Sequence, residues 1–363
     1  MKITSKRIIA FFKDHSGFTF ALFVGFLTMC FGIWVNASQD HADWFYKTIF
    51  VPLNKNLQSV GKFSEVPVYQ VLLAITFVII VAGIIGLRSD SWRHILLNSL
   101  LGVTTFVIFV ACLFYWMWGF NYAQESISRT YFNNEFVEVD TNQFKDRWKR
   151  QTQRLNYLRR NAPLPDTTKD WTGTYYHHLL DKVKSTVHDF GKDSSLNPAC
   201  KNFVPPGTLL RLNTAGFYFP FGSESYIDKA LFTGQKPYVI AHELAHGFGV
   251  TDEGDANFVG YLSCLKSEDW FVKYSAEFTL WLYMASDGRK LNRTFQNEMW
   301  ESLSTEVKSD FAARRKLDER YPEFMPKVRN KIYGSYLSFN KVEGGLQSYN
   351  RLVRMVLTYE KSN

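Results

Sequence analysis

Residues 239–248 read Val-Ile-Ala-His-Glu-Leu-Ala-His-Gly-Phe, and 249–258 continue Gly-Val-Thr-Asp-Glu-Gly-Asp-Ala-Asn-Phe. His242 and His246 stand four apart, so a helix carries both on one face, where two neutral imidazoles can hold one metal ion. Zinc sites use this spacing. Glu243, beside the first imidazole, is placed to take a proton from water activated there and to hand it on to a leaving amine. The flanking Val239, Ile240, Ala241, Leu244, Ala245 and Phe248 are uncharged, as a half-buried helix requires. The competing reading is a structural pair of histidines. An accidental His-Glu-x-x-His arises only roughly 0.01 times in a chain of this composition.

A catalytic zinc site takes a third protein ligand and leaves one position open. Asp252 completes HExxHxxGxxD with Gly249, which resembles the metzincin pattern with Asp in the last place. Glu253 opens Glu-Gly-Asp-Ala-Asn, which resembles the gluzincin pattern. There the Glu binds zinc, and the residue four later, here Asn257, hydrogen-bonds a ligand imidazole and orients it. Glu253 is preferred, because Asn257 has the spacing and Asp252 has another use as the N-cap of a helix opening there. Asp255 in the first turn then suits the helix dipole. The link from His246 to Glu253 is short, so Gly247 and Gly249 are expected to reverse the chain.

Outward from the motif, the chain is uneven. Its 363 residues are 46% hydrophobic and 17% aromatic, which excludes a disordered chain. Four cysteines exclude a disulfide-dense scaffold. Residues 17–35, 66–87 and 95–118 carry no charge, and each approaches or exceeds the roughly 20 residues that cross a bilayer. The first is longer than the apolar part of a signal peptide and lacks a clear cleavage site, so it reads as a retained anchor. Lys2, Lys6, Arg7 and Lys13 precede the first span, and Arg88 and Arg93 lie between the second and third. Basic residues favour the cytoplasmic side. Three crossings then put the N-terminus in the cytoplasm and everything after Trp118 outside it. The expected location is a bacterial cell membrane, crossed several times, with the lipid bilayer as a partner.

The net charge of +8 divides into +4 on residues 1–118 and +4 on residues 119–363. No recognition motif accompanies it, so no nucleic-acid partner is expected. The basic stretch from Lys145 to Arg160 reads either as a contact for anionic headgroups or an envelope polymer, or as a solvated helix face. Helices are expected over 141–160 and 173–190, strands and loops over about 196–235, and helices from 236 onward with breaks near Gly288, Pro322, Gly334 and Gly344–Gly345. Cys200 and Cys264 can pair outside the cytoplasm or stay as buried thiols. Residues 207–221 are a candidate edge strand for substrate backbone, or core. Glu224 reads as a substrate contact or the cap of a following helix. Tyr218, Tyr261, Tyr274 and Tyr349 are candidates to stabilise an oxyanion.

The chain resembles a bacterial family, domain of unknown function 3810, of membrane-anchored HExxH proteins. The resemblance rests on Trp118 through Tyr122, Gly216 through Phe221 with Glu224, His242 through His246, Glu253 through Asn257 with Phe258, and Tyr274-Ser275. Asp255 departs from it, standing where a Glu is expected. The resemblance implies a zincin-like peptidase domain outside the membrane. The fold expected is therefore an α-helical membrane anchor over 1–118, followed by an α+β, mostly helical, gluzincin-type domain over 119–363. The activity expected is Zn²⁺-dependent cleavage of envelope proteins or peptides, with His242, His246 and Glu253 as ligands and Glu243 as base. The alternative is a catalytically silent zincin-fold sensor or binding protein, which has no need of the Glu243 base. An intramembrane protease is disfavoured because the motif lies far beyond the last span.

Overall fold

A computed structural model of the chain describes residues 11–61, 66–86, 92–133, 141–162, 165, 171–291, 293–327, 330–331 and 351–362. Tyr349, Gly334, Gly344, Gly345, Lys2, Lys6, Arg7 and Arg88 lie outside these residues. The chain divides into two compact units, Met1–Gln124 with Pro220–Gly222 and Glu125–Phe219 with Ser223–Asn363.

In the first unit the helices are α1 (Ser16–Val35), α2 (Gln39–Phe45), α3 (Val51–Gly61), α4 (Val68–Gly86) and α5 (Trp92–Met117). Two stretches, Ser16–Val35 and His94–Met117, are long and apolar enough to cross a membrane. The middle span forms α4, within which Val68–Val78 is a shorter apolar stretch. Among the described residues two helices, where the sequence reading has three spans, are thus long and apolar enough to cross. Helices α1 and α5 meet through small residues. A Cβ on Gly25 would lie 3.2 Å from Ile108, and Trp116 Nε1 donates to Thr28 Oγ1 at 3.2 Å. Apolar spans pack closely in this way where neighbouring lipid offers no hydrophobic drive. Their other faces leave Phe20, Phe23, Phe26, Leu100, Val103, Phe106 and Val107 exposed. So wide an apolar surface suits lipid and not water.

The second unit is mostly helical around a small sheet. Its helices are α6 (Ile127–Phe132), α7 (Thr141–Asn161), α8 (Trp171–Asp189), α9 (Thr208–Arg211), α10 (Lys236–Gly247), α11 (Glu253–Leu265), α12 (Trp270–Leu291), α13 (Arg293–Glu301), α14 (Thr305–Arg320) and α15 (Arg351–Ser362). The strands are β1 (Ala199–Phe203), β2 (Gly216–Phe219) and β3 (Glu224–Asp228), in the order β1-β3-β2. β3 is central and buried throughout, parallel to β1 and antiparallel to β2. Ser225 Oγ on β3 donates to the Glu243 carbonyl at 2.8 Å, which ties the sheet to α10.

Three expectations are corrected here. Gly288 does not break a helix: α12 runs through it, and the Trp148 ring of α7 occupies the space a Cβ would need. Glu224 caps no helix, because it opens strand β3. It is buried, ion-paired to Lys201 Nζ at 2.5 Å, and accepts from the Tyr226 hydroxyl. The basic stretch is neither a uniform contact nor a uniform solvated face. Arg147 pairs with Glu360, Arg154 with the buried Glu277 at 2.7 Å, and Arg159 with Asp310 at 2.6 Å, so these three tie α7 to α15, α12 and α14. Cys200 and Cys264 are both buried free thiols.

Candidate metal centre

Helix α10 places the histidines. Pro237 stands in its first turn, where a missing N–H costs nothing, and Ser275 Oγ from α12 accepts the Tyr238 N–H at 3.0 Å. Ile240, Ala241, Leu244 and Ala245 are fully buried and hold the helix down. It ends in a Schellman turn, with Val250 N bonding Ala245 O at 3.3 Å and Gly249 N bonding His246 O at 2.9 Å. Gly249 takes φ +82°, the left-handed conformation that favours glycine. Gly247, expected to share that turn, is instead the last helical residue and lacks a side chain because Pro198 packs on it. Asp252 N-caps α11, accepting Asp255 N at 2.9 Å.

The reversal brings α11 back against α10. A Cβ on Gly260 would meet His242 N at 3.1 Å and Cα at 3.2 Å, so glycine permits this close crossing. As a result the first residue of α11 reaches the two imidazoles. His242 Nε2 and His246 Nε2 lie 3.2 Å apart, and Glu253 Oε2 lies 3.4 Å from the first and 3.8 Å from the second. Among the described residues these three form the one group of such donors able to hold a metal. Tetrahedral zinc with bonds of about 2.0–2.2 Å separates its ligand atoms by about 3.3–3.6 Å, close to the 3.2 and 3.4 Å sides and slightly under the 3.8 Å side.

The protonation of His246 fits as well. His246 Nδ1 lies 2.7 Å from the Val250 carbonyl, and donating its proton there leaves Nε2 with a free lone pair. Burial pulls the His246 imidazole down to about 4, so it is neutral at pH 7. Burial also opposes the charged form of His242, but the carboxylates of Glu253 and Glu243 outweigh it and raise this imidazole. His242 Nδ1 and Asn257 Nδ2 are both buried without a partner, while Tyr238 Oη donates to Asn257 Oδ1 at 2.8 Å. Turning the Asn257 amide over satisfies both orphans: Oδ1 then accepts from His242 and Nδ2 faces Tyr238. In that orientation His242 presents its Nε2 lone pair beside that of His246.

Glu243 is buried, its Oε2 has no partner, and burial pushes its carboxyl up to about 8. Gly216, at the start of edge strand β2, lies against it: a Cβ there would stand 2.8 Å from Glu243 Oε1. Of the tyrosines, Tyr274 donates to Asp310 at 2.6 Å, and Tyr261 lies 3.5 Å from Arg147 and 3.4 Å from Glu277. Both are engaged away from the imidazoles. Tyr218, on β2, donates to Ser223 at 3.2 Å. Asp255 points away from the histidines, its carboxylate accepting the N–H groups of Ile127 and Ser128 at 2.5 and 3.3 Å. The sequence reading places Gly216 in the candidate edge strand and names Ser275 only as part of the family resemblance, and it singles out neither Gly260 nor Tyr238.

Residues 42–357 match the family model described as Protein of unknown function (DUF3810). The chain belongs to this family. No curated protein and no solved structure matches it. The DUF3810 match spans the Trp118–Tyr122 turn, the sheet, both helices of the histidine–glutamate cluster and most of α15, so the geometry of the metal centre falls inside it.

Proposed function

We propose that this DUF3810 chain is a membrane-anchored zinc metallopeptidase with a gluzincin-type ligand set. It hydrolyses peptide bonds of envelope proteins or peptides outside the cytoplasm. The observation that carries the reading is the triangle of His242 Nε2, His246 Nε2 and Glu253 Oε2, with sides of 3.2, 3.4 and 3.8 Å, next to Glu243, whose buried Oε2 has no partner. Zinc held there supplies a Lewis acid that polarises water and the scissile carbonyl. Glu243 accepts the proton of the attacking water and delivers it to the leaving amine. Asn257 keeps the His242 ring in its binding orientation. Strand β2 ends the sheet order and lies against Glu243 at Gly216, so it is the strand placed to pair with an extended peptide, which gives affinity with little sequence preference. The charge distribution about the spans supports an outward-facing catalytic domain.

The test uses the full-length chain purified in detergent. Zinc at one equivalent is expected, with cleavage of an unfolded polypeptide that stops on chelation and returns with added zinc. Zinc without cleavage of a mixed peptide library favours a silent sensor, and failure to bind zinc after reconstitution defeats both readings. For orientation, a reporter active only outside the cytoplasm, fused after Asn363, is expected to be active. Activity of a cytoplasm-only reporter would overturn the topology.

A further inference from the structure

The turn that carries Glu253 is built around a residue about a hundred positions away. Arg351, the first residue of α15, sends Nη1 to Asp252 Oδ2 at 3.0 Å. Its Nη2 accepts no proton but donates to Ser128 Oγ, and it lies 3.9 Å from Asp255 Oδ1. Ser128 in turn donates from its own Oγ to Asp255 Oδ1 at 2.6 Å. A Cβ on Gly254 would lie 3.2 Å from Arg351 Cβ and 3.1 Å from Asp252 Oδ1. Each residue of Asp252-Glu253-Gly254-Asp255 thereby has a use. The two aspartates flank the guanidinium, the glycine leaves room for its stem, and Glu253 turns the other way, to the imidazoles.

We propose that Arg351 is a positioning residue of the metal centre: docking of α15 through Arg351 onto Asp252 and Asp255 holds the first turn of α11 so that Glu253 reaches His242 and His246. The physical need is plain. Asp255 is buried, Asp252 is nearly so, and one mobile carboxylate at the start of a helix binds metal only if that start is held. Without the guanidinium the two aspartates repel each other inside the protein, and the turn opens to hydrate them. The planar fork of arginine joins Asp252 and Ser128 in one geometry, which the point charge of lysine does not. The rest of α15 supports the docking. Leu352, Val353, Met355 and Val356 are buried, and Glu360 at its far end is gripped by Arg147 at 2.7 and 3.0 Å. The C-terminal helix thus sets metal affinity without touching the metal.

This inference rests on the proposed metal site, and its test separates the two. Zinc affinity is measured by chelator competition on full-length Arg351→Gln, Arg351→Lys, Asp252→Asn and the double variant Arg351→Gln with Asp252→Asn. Asn caps a helix as well as Asp does, so Asp252→Asn removes charge while keeping the cap. Arg351→Gln is expected to bind zinc about 10–100-fold more weakly than wild type, the usual effect of losing a group that orients a ligand. The double variant is expected to recover most of that loss, because only one carboxylate then remains. A general loss of packing would not be rescued by Asp252→Asn, so no recovery overturns the proposal. Arg351→Gln binding like wild type overturns it too. If Arg351→Gln does not fold, Arg351→Lys decides: affinity several-fold below wild type supports the role, and affinity equal to wild type overturns it. Failure of wild type to bind zinc would instead count against the metal site itself.

Discussion

Replacing Glu243 by Gln is expected to cut peptide-bond hydrolysis by about 10²–10⁴-fold while leaving zinc at one equivalent, the usual cost of removing a general base. The substitution is clean for structural reasons. Glutamine has the same shape, and the one hydrogen bond that ties residue 243 to the sheet runs from Ser225 to its backbone carbonyl, which survives. The side-chain Oε2 has no partner to lose. A buried carboxylate oxygen without a partner costs stability, so Glu243→Gln is expected to unfold no more readily than wild type. Burial, with the nearby Glu253 carboxylate and against the pull of His242, pushes this carboxyl up to about 8, and the positive charge of a bound metal pulls it down. A base works when deprotonated, so kcat/KM is expected to rise with pH along a limb centred below 8. That limb disappears in Glu243→Gln. Measurement of kcat/KM against pH for both proteins, with metal content, decides the matter. Wild-type turnover in a zinc-loaded Glu243→Gln protein would sink the role.

How much of this was legible in the sequence depends on the range of the interaction. The imidazole pair, the N-cap at Asp252 and the left-handed Gly249 are set within a few residues of one another, so spacing and propensity expose them. The helical spans likewise announce themselves by lack of charge. What escaped was decided by partners far along the chain. Gly288 reads as a helix break until the Trp148 ring is seen to fill its side-chain space. Glu224 reads as a cap until β1 and β3 pair in parallel and set its carboxylate against Lys201. Ala199 pairs with Glu224 in that register, and no local pattern states a parallel register. Gly216 and Gly260 look like ordinary interruptions of apolar runs. Their purpose appears only when Glu243 and His242 are brought against them. Arg351 is the extreme case, since its guanidinium and Asp252 are separated by most of the last third of the chain.

The remaining large effect distinguishes the three acidic residues that follow the histidines. Glu253→Gln is expected to weaken zinc binding beyond the 10–100-fold that accompanies loss of an orienting hydrogen bond, because it removes a ligand atom and its charge together. Asp252→Asn is expected to act weakly: the cap survives, and Arg351 keeps Asp255 beside it. Asp255→Asn falls between. It keeps an acceptor for part of the set formed by Ile127 N, Ser128 N and Ser128 Oγ, but it unbalances the guanidinium. The ordering follows from direction. All three residues sit on one turn, yet only Glu253 has its carboxylate within 3.4 Å of an imidazole nitrogen, while its neighbours face α6 and α15. Chelator competition on the three single variants gives the ordering directly. Binding by Glu253→Gln equal to wild type would remove Glu253 from the ligand set. A larger loss in Asp252→Asn than in Glu253→Gln would transfer the role to the metzincin-like position.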